Sequence, residues 1–258
     1  MFPKFLNRKQ TNIYQRQKRI KFIETLRSAY GADNQVKINQ TVIYFSGHHG
    51  VGKSTIAKTL KTVLDMQGIS NFYLPEMTVQ PTHVAPGTMK FQEWYRKEMK
   101  HRQLMIDAFM LNNLHYPSVL IVDRTQADVS VYDTLYVNKL NTQDIAYDLV
   151  YELNLSDSYN FNHKNVNVFS YLVHRDLEEV MADLTKRIET DIIRKKWNEQ
   201  NMEQLIYLDN TFTEVWEKAN NIFDSFEEHR DTSVVCQHID NDKTIDETLE
   251  DIWNDIIV

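Results

Sequence analysis

The sequence predicts an α/β fold: a three-layer sandwich with a five-stranded parallel sheet and helices on both faces, preceded by a basic helical extension. Three observations predict it. From residue 41 onward, short apolar runs alternate five times with segments of helical period. Such alternation builds a parallel sheet covered on both sides. The loop Gly47-His48-His49-Gly50-Val51-Gly52-Lys53-Ser54-Thr55 joins the first run to the first helix and fits G-x-x-x-x-G-K-[ST] at every fixed position. At 258 residues and 42% hydrophobic, the chain can bury the core of one such domain, residues 41–258, with residues 1–40 as the extension.

Each element follows in order. Thr41-Val42-Ile43-Tyr44-Phe45 reads as a buried strand, and after the loop Ile56, Leu60, Val63 and Leu64 share one helical face until Gly68 ends the helix. Asn71-Phe72-Tyr73-Leu74 is the second strand, ending at Pro75-Glu76. A loop with Pro81 and Pro86-Gly87 follows, then a long helix from Met89 to Leu114. Val119-Leu120-Ile121-Val122 is the third strand and ends in Asp123-Arg124. One or two helices cover 127–154, residues 156–165 read as a polar loop, and Val166 to Val173 is the fourth strand. Asp176 is placed to cap a helix with the apolar face Leu177, Val180, Met181, Leu184 and Ile188. A basic segment around Arg194 leads into a helix ending near Phe226, followed by a fifth strand, Ser233 to Ile239, and a final amphipathic helix, Thr244 to Ile257.

Strand, glycine loop, helix is the local order of a phosphate-loop (P-loop) NTPase domain. The glycines let backbone N–H groups turn inward around phosphate oxygens, and the helix N-terminus adds positive potential. Residues Gly47 to Thr55 are therefore the expected ATP contacts, with Lys53 reaching the β- and γ-phosphates and Ser54 ligating Mg²⁺.

In parallel sheets ligands gather at the carboxyl ends of the strands, which singles out Glu76, Asp123 and Arg124. A carboxylate at Glu76 suits a general base facing the γ-phosphate, although a helix cap or a surface acid has the same appearance in sequence. Asp123, at the end of an apolar strand, is expected to help hold Mg²⁺, and Arg124 to bridge acceptor and phosphates through its planar fork. Arg187, Arg194, Lys195 and Lys196 form a basic cluster, within about 187–199, suited to a lid that neutralises charge in the transition state.

Charge is unevenly spread. Residues 1–40 hold nine Lys/Arg against Glu24 and Asp33, a net of +7, so the other 218 residues carry −14 of an overall −7. Ile20, Ile23, Leu26 and Tyr30 form a stripe closed by Gly31, which reads either as a packed helix with a wet basic face or as an arm that binds nucleic acid. No apolar run approaches the roughly 20 residues of a membrane span, so no membrane partner is expected. One cysteine, Cys236, excludes a disulfide framework and fits a reducing, cytoplasmic setting. The nine histidines are scattered without metal-ligand spacing.

With these motifs in order, the chain resembles the deoxynucleoside kinase and thymidylate kinase group of phosphate-loop kinases, from Thr41 to Val258. Four places carry the resemblance: the loop ending Gly52-Lys53-Ser54-Thr55; Leu74-Pro75-Glu76-Met77-Thr78-Val79; Phe91-Gln92-Glu93-Trp94-Tyr95 followed by Arg102; and Asp123-Arg124-Thr125-Gln126-Ala127-Asp128. Arg187-Ile188 through Arg194-Lys195-Lys196-Trp197-Asn198-Glu199, then Tyr207-Leu208, looks like the group's basic lid and the helix after it. His238-Ile239-Asp240-Asn241-Asp242 resembles the loop bordering adenine. The resemblance implies that Glu76 is the base for a sugar 5′-hydroxyl, with Gln92 against a base edge. It also implies acceptor contacts from Tyr95, Arg102 and Arg124, and ATP contacts from Lys196. A homodimer through the helices from Met89 and Met202 would be in keeping with the group. The chain departs from the group's pattern at His48-His49, where small or acidic residues are usual, at Met77 in place of proline, and at Lys195 and Lys196 in place of arginines.

The expected activity is ATP-dependent phosphoryl transfer to a (deoxy)nucleoside or its monophosphate, with ATP and Mg²⁺. The alternatives are a kinase acting on a hydroxyl in nucleic acid, a small-metabolite kinase such as one for nicotinamide riboside, and an acceptor-independent NTPase.

Overall fold

The computed structural model describes residues 40–76, 88–112, 119–136, 140–153, 166–190, 201–225, 233–242 and 244–256. Five expectations lie outside the described residues: the basic helical extension before Gln40, the loop around Pro81 and Pro86-Gly87, the polar loop at 156–165, the last turn of the helix expected to end at Leu114, and the lid residues Arg194, Lys195 and Lys196.

Five parallel strands stand in the order β2-β3-β1-β4-β5: β1 Gln40–Ser46, β2 Asn71–Leu74, β3 Val119–Asp123, β4 Val166–His174 and β5 Ser233–Asp240. Side chains on a strand alternate between faces, so β1 sends Val42 and Tyr44 into one core and Ile43 and Phe45 into the other. Both faces of a central parallel strand are then apolar, which is why these runs show no polar alternation.

The helices divide accordingly. α1 (Lys53–Met66), α5 (Leu177–Thr190) and α7 (Ile245–Ile256) cover the Ile43 face. α3 (Gln126–Asp133), α4 (Thr142–Leu153) and α6 (Met202–Asp224) cover the Val42 face, and Ile106 of α2 (Met89–Asn112) packs with them. Where one or two helices are expected over 127–154, the described residues form two. Thr125 starts α3 by accepting from Asp128 N at 3.2 Å. Asp176 caps α5 as expected, its Oδ1 accepting from the N–H groups of Glu178 (2.9 Å) and Glu179 (3.0 Å). Gly68, at φ +70, closes α1 in the left-handed conformation that glycine adopts without strain.

The register sets the site. Phe45 pairs with Asp123, Leu74 with Val122 and Ser46 with Leu172, so the loop after β1 emerges between the ends of β3 and β4. Glu76, two residues past β2, reaches the same edge. The sheet order, the helices on both faces and the glycine loop after β1 make this a P-loop NTPase-like α/β fold.

Candidate active site

The loop leaves β1 through Gly47, whose φ is 131°; a Cβ there would meet the Val173 carbonyl oxygen at 2.7 Å. Gly52, at φ 100°, is the N-cap of α1, and a Cβ on it would clash with the Asn241 side chain. Any other residue would be strained and obstructed at both positions. Asn241, just past β5, holds the loop from outside by donating to Val51 O at 2.6 Å. The loop's shape is thus fixed from the β4 and β5 side as well as by its own glycines.

Lys53 is buried and donates to two carbonyls of its own loop, Gly47 O at 2.9 Å and His48 O at 2.7 Å. Burial, reinforced by the Arg124 charge, pulls its ammonium down to about 8 despite the carboxylates of Glu76, Asp123 and Asp128. A cation so short of counter-charge favours an anion in the loop.

Ser54 Oγ donates to Asp123 Oδ2 at 2.6 Å, and the Tyr73 hydroxyl donates to the same oxygen at 3.0 Å. Asp123 is fully buried, and its other oxygen, Oδ1, is buried without a hydrogen-bond partner. Leaving a carboxylate oxygen unsatisfied in the interior is costly, so a ligand for it is expected. Among the described residues no group of three or more His, Cys, Asp and Glu side chains is arranged to hold a metal by itself. A hydroxyl, one carboxylate and phosphate oxygens are what Mg²⁺ takes when it arrives with a nucleotide, so these residues fit it.

Across the loop, Glu76 and Arg124 form an ion pair. Arg124 Nε donates to Glu76 Oε1 at 2.6 Å, and its Nη1 reaches Gly47 O at 3.2 Å and Asp128 Oδ2 at 3.4 Å. The guanidinium also lies over the Tyr132 ring, 5.2 Å from its centroid. Arg124 alone among the described non-glycine residues has a positive φ, 81°. That conformation costs on the order of 1 kcal/mol and turns the side chain toward the loop; its N–H, bonded to Phe45 O at 2.9 Å, anchors the turn. Burial pushes the Glu76 carboxyl up, but the Arg124 and Lys53 charges and the hydrogen bonds from Arg124 and Tyr95 hold it below the usual carboxylate range. The Tyr95 hydroxyl is 3.3 Å from the same Oε1. Among the described residues both of Glu76's hydrogen bonds therefore run to one oxygen, and its side chain remains 35% exposed.

The other expected acceptor residues lie nearby in different states. Gln92 is buried on α2, one turn before Arg96, which pairs with the buried Asp133. Phe91 stacks on Tyr95 (centroids 6.0 Å) beside Trp94, so this turn of α2 is an aromatic cluster ending at Glu76. Arg102 is buried with its Nη2 on two backbone carbonyls, Leu74 O at 3.2 Å and Asp123 O at 3.0 Å. It ties together the strand ends that carry Glu76 and Arg124. Arg187 sits exposed in the last turn of α5.

Four side chains here were not singled out from sequence. Tyr73 shares Asp123 with Ser54. Tyr132 accepts from the loop N–H of His49 at 2.8 Å, beneath the Arg124 guanidinium. Glu152 accepts from Gln126 N at 2.8 and 3.0 Å through its two oxygens, sealing the start of α3 next to Arg124. Asp209 faces His48 from α6. Each reads in sequence as an ordinary core aromatic or helix acid, because its partner is far away along the chain.

No protein-family model and no curated protein matches the chain. Solved structures similar to it include deoxyadenosine kinase from M. mycoides with bound dATP, 16% identical, covering 83% of this chain and 98% of that chain at a TM-score of 0.43. Another is APE1195, 14% identical, covering 86% of this chain and 97% of that chain at a TM-score of 0.45. Among the described residues no helix is long and apolar enough to cross a membrane.

Proposed function

We propose that the chain is a kinase that transfers the γ-phosphoryl group of ATP to the 5′-hydroxyl of a nucleoside. The carrying observation is Glu76: a carboxylate held through one oxygen by Arg124 and Tyr95, partly exposed, beside a buried lysine in a phosphate loop.

The loop N–H groups and Lys53 hold the phosphates, Lys53 exchanging its bonds to Gly47 O and His48 O for phosphate oxygens. Ser54 and Asp123 would hold Mg²⁺, which would offset phosphate charge when bound. Glu76 Oε2 takes the proton of the acceptor hydroxyl as that oxygen bonds to the γ-phosphorus and the bond to the bridging oxygen of ADP breaks. Glu76 is ionised at neutral pH and so available to accept; its low basicity makes positioning of the hydroxyl a large part of its contribution. Arg124, fixed by Glu76 and Asp128, neutralises charge developing between acceptor and loop.

A neutral hydroxyl is favoured over a monophosphate because, among the described residues, the arginines on this side are already engaged. Arg96 pairs with Asp133, Arg102 bonds backbone carbonyls, and Arg124 bonds Glu76. An anionic acceptor needs cations free to receive it and needs no base.

The test is ADP release with MgATP against nucleosides, their 5′-monophosphates and a short single-stranded oligonucleotide, each over a no-acceptor control. Stimulation by a nucleoside is expected. Stimulation by monophosphates alone would move the acceptor class, and stimulation by the oligonucleotide alone would indicate a nucleic-acid kinase. A high rate that no acceptor changes would replace the kinase with an NTPase.

A further inference from the structure

One of the two histidines in the phosphate loop has surroundings that phosphoryl transfer does not use. His48 is 1% exposed, and its Nδ1 lies 2.9 Å from the His49 carbonyl oxygen. A carbonyl only accepts, so this contact assigns the hydrogen of the neutral ring to Nδ1. The Nε2 lone pair then points at α6, where Asp209 Oδ1 stands 3.6 Å away. A lone pair facing a carboxylate makes no hydrogen bond, and Nε2 is buried without a partner. Asp209 meanwhile accepts from His174 Nδ1 at 3.2 Å, at the end of β4. His174 Nε2 lies 2.8 Å from Nδ1 of His238 in β5, the two rings stacked at 5.0 Å. Three imidazoles and one carboxylate thus line the β4 side of the loop, and one proton on Nε2 would convert the mismatch at His48 into a charge-assisted bond.

In the free chain that proton is withheld. Burial pulls the His48 imidazole down to about 4; the Lys53 charge adds to this, while the His49 carbonyl and Asp209 act in the opposite sense. The groups facing His48 are Lys53 in the loop, Asp209 on α6 and His174 on β4, with His238 behind His174 and Glu217 acting on His238.

We propose that a nucleotide phosphate entering the loop draws one proton from solvent onto His48 Nε2, with Asp209 as its counter-ion, so that nucleotide binds with proton uptake. The proposal rests on the loop being a nucleotide site, as proposed above. Phosphate oxygens would compensate the Lys53 charge that opposes the imidazolium and add negative potential that favours it. The imidazolium in turn stabilises the phosphates from the α6 side of the loop. His48 is a positioning residue here; it does not touch the transferred group.

The test is calorimetric titration of the full chain with MgADP near pH 6, in buffers of different ionisation enthalpy, with excess Mg²⁺ to keep the nucleotide's own phosphate ionised. Lys53, pulled down to about 8, is already charged there and takes up nothing. The expected result is uptake of about one proton per ADP bound, lost in His48→Asn and in Asp209→Asn. Asp209→Asn lies outside the loop and carries the test if His48→Asn misfolds. Binding without proton uptake, or uptake that survives in Asp209→Asn, overturns the proposal and leaves the nucleotide site standing. No binding of MgADP by the unsubstituted chain would overturn both.

Discussion

The phosphate loop has two unlike flanks. On the β3 side, Arg124 bonds Glu76, Asp128 and the Gly47 carbonyl and lies over Tyr132. On the β4 side His48 and His174 face Asp209, and His238 joins them through His174. In the first flank pairing pushes the partners apart, Arg124 well above its usual value and Glu76 below the carboxylate range, so both charges persist at any ordinary pH. In the second, three imidazoles stand beside one carboxylate, and burial pulls His48 below the ordinary imidazole value, so its charge is the one proposed to change with what occupies the loop. On the proposed reading, permanent charge would face the acceptor, where a transition state must be met without reorganisation, and adjustable charge would lie behind the phosphates.

Arg124→Lys breaks the first flank most directly. A single ammonium cannot bond Glu76, Asp128 and the Gly47 carbonyl together, so transfer should fall by about a hundredfold while nucleotide binding changes little. Steady-state rates and a parallel binding titration would separate the two. Tyr73→Phe is milder: it removes one hydrogen bond from Asp123 Oδ2 and leaves Ser54 in place. The Mg²⁺ concentration for half-maximal turnover should rise about tenfold with the acceptor KM unaltered, measured by Mg²⁺ titration.

Glu152→Gln should have the smallest effect on activity and a distinct one on stability. Burial pushes the Glu152 carboxyl up to about 8 despite its bonds from the start of α3. The folded chain therefore holds this proton more tightly than the unfolded chain. The associated stability is fully present below the ordinary Glu value and is lost as pH rises to about 8. Urea midpoints across that range should decline in the parent and less in Glu152→Gln, whose amide oxygen still accepts from Gln126 N and which carries no charge to bury.

The difference between the flanks also decides what could be read from sequence. The phosphate loop is contiguous, with a strand before it and an amphipathic helix after it, so residues 47–55 reveal themselves by spacing. Glu76, Asp123 and Arg124 follow from a rule about strand ends in parallel sheets. That Glu76 and Arg124 pair at 2.6 Å is a tertiary fact, depending on the Leu74–Val122 register and the positive φ of Arg124. On the β4 flank His48 and His238 stand out in the sequence, but the link between them through His174 and Asp209, 35 residues apart, does not; on the β3 side the contact of His49 with Tyr132, 83 residues away, is equally hidden. Nothing local marks such side chains as different from ordinary core or surface. Arg102 illustrates the converse: the resemblance implies an acceptor contact, while its Nη2 is bonded to two backbone carbonyls. Helix periodicity gives a direction, not the identity of what lies in that direction.

The central claim is that Glu76 serves the acceptor hydroxyl from beside the phosphate loop. Acceptor-stimulated turnover of Glu76→Gln at saturating MgATP, alongside its MgATP dissociation constant, tests it most directly. The prediction is a fall in kcat of about 10²- to 10³-fold with MgATP affinity preserved. Turnover equal to that of the parent chain would contradict it and leave Glu76 as a structural partner of Arg124.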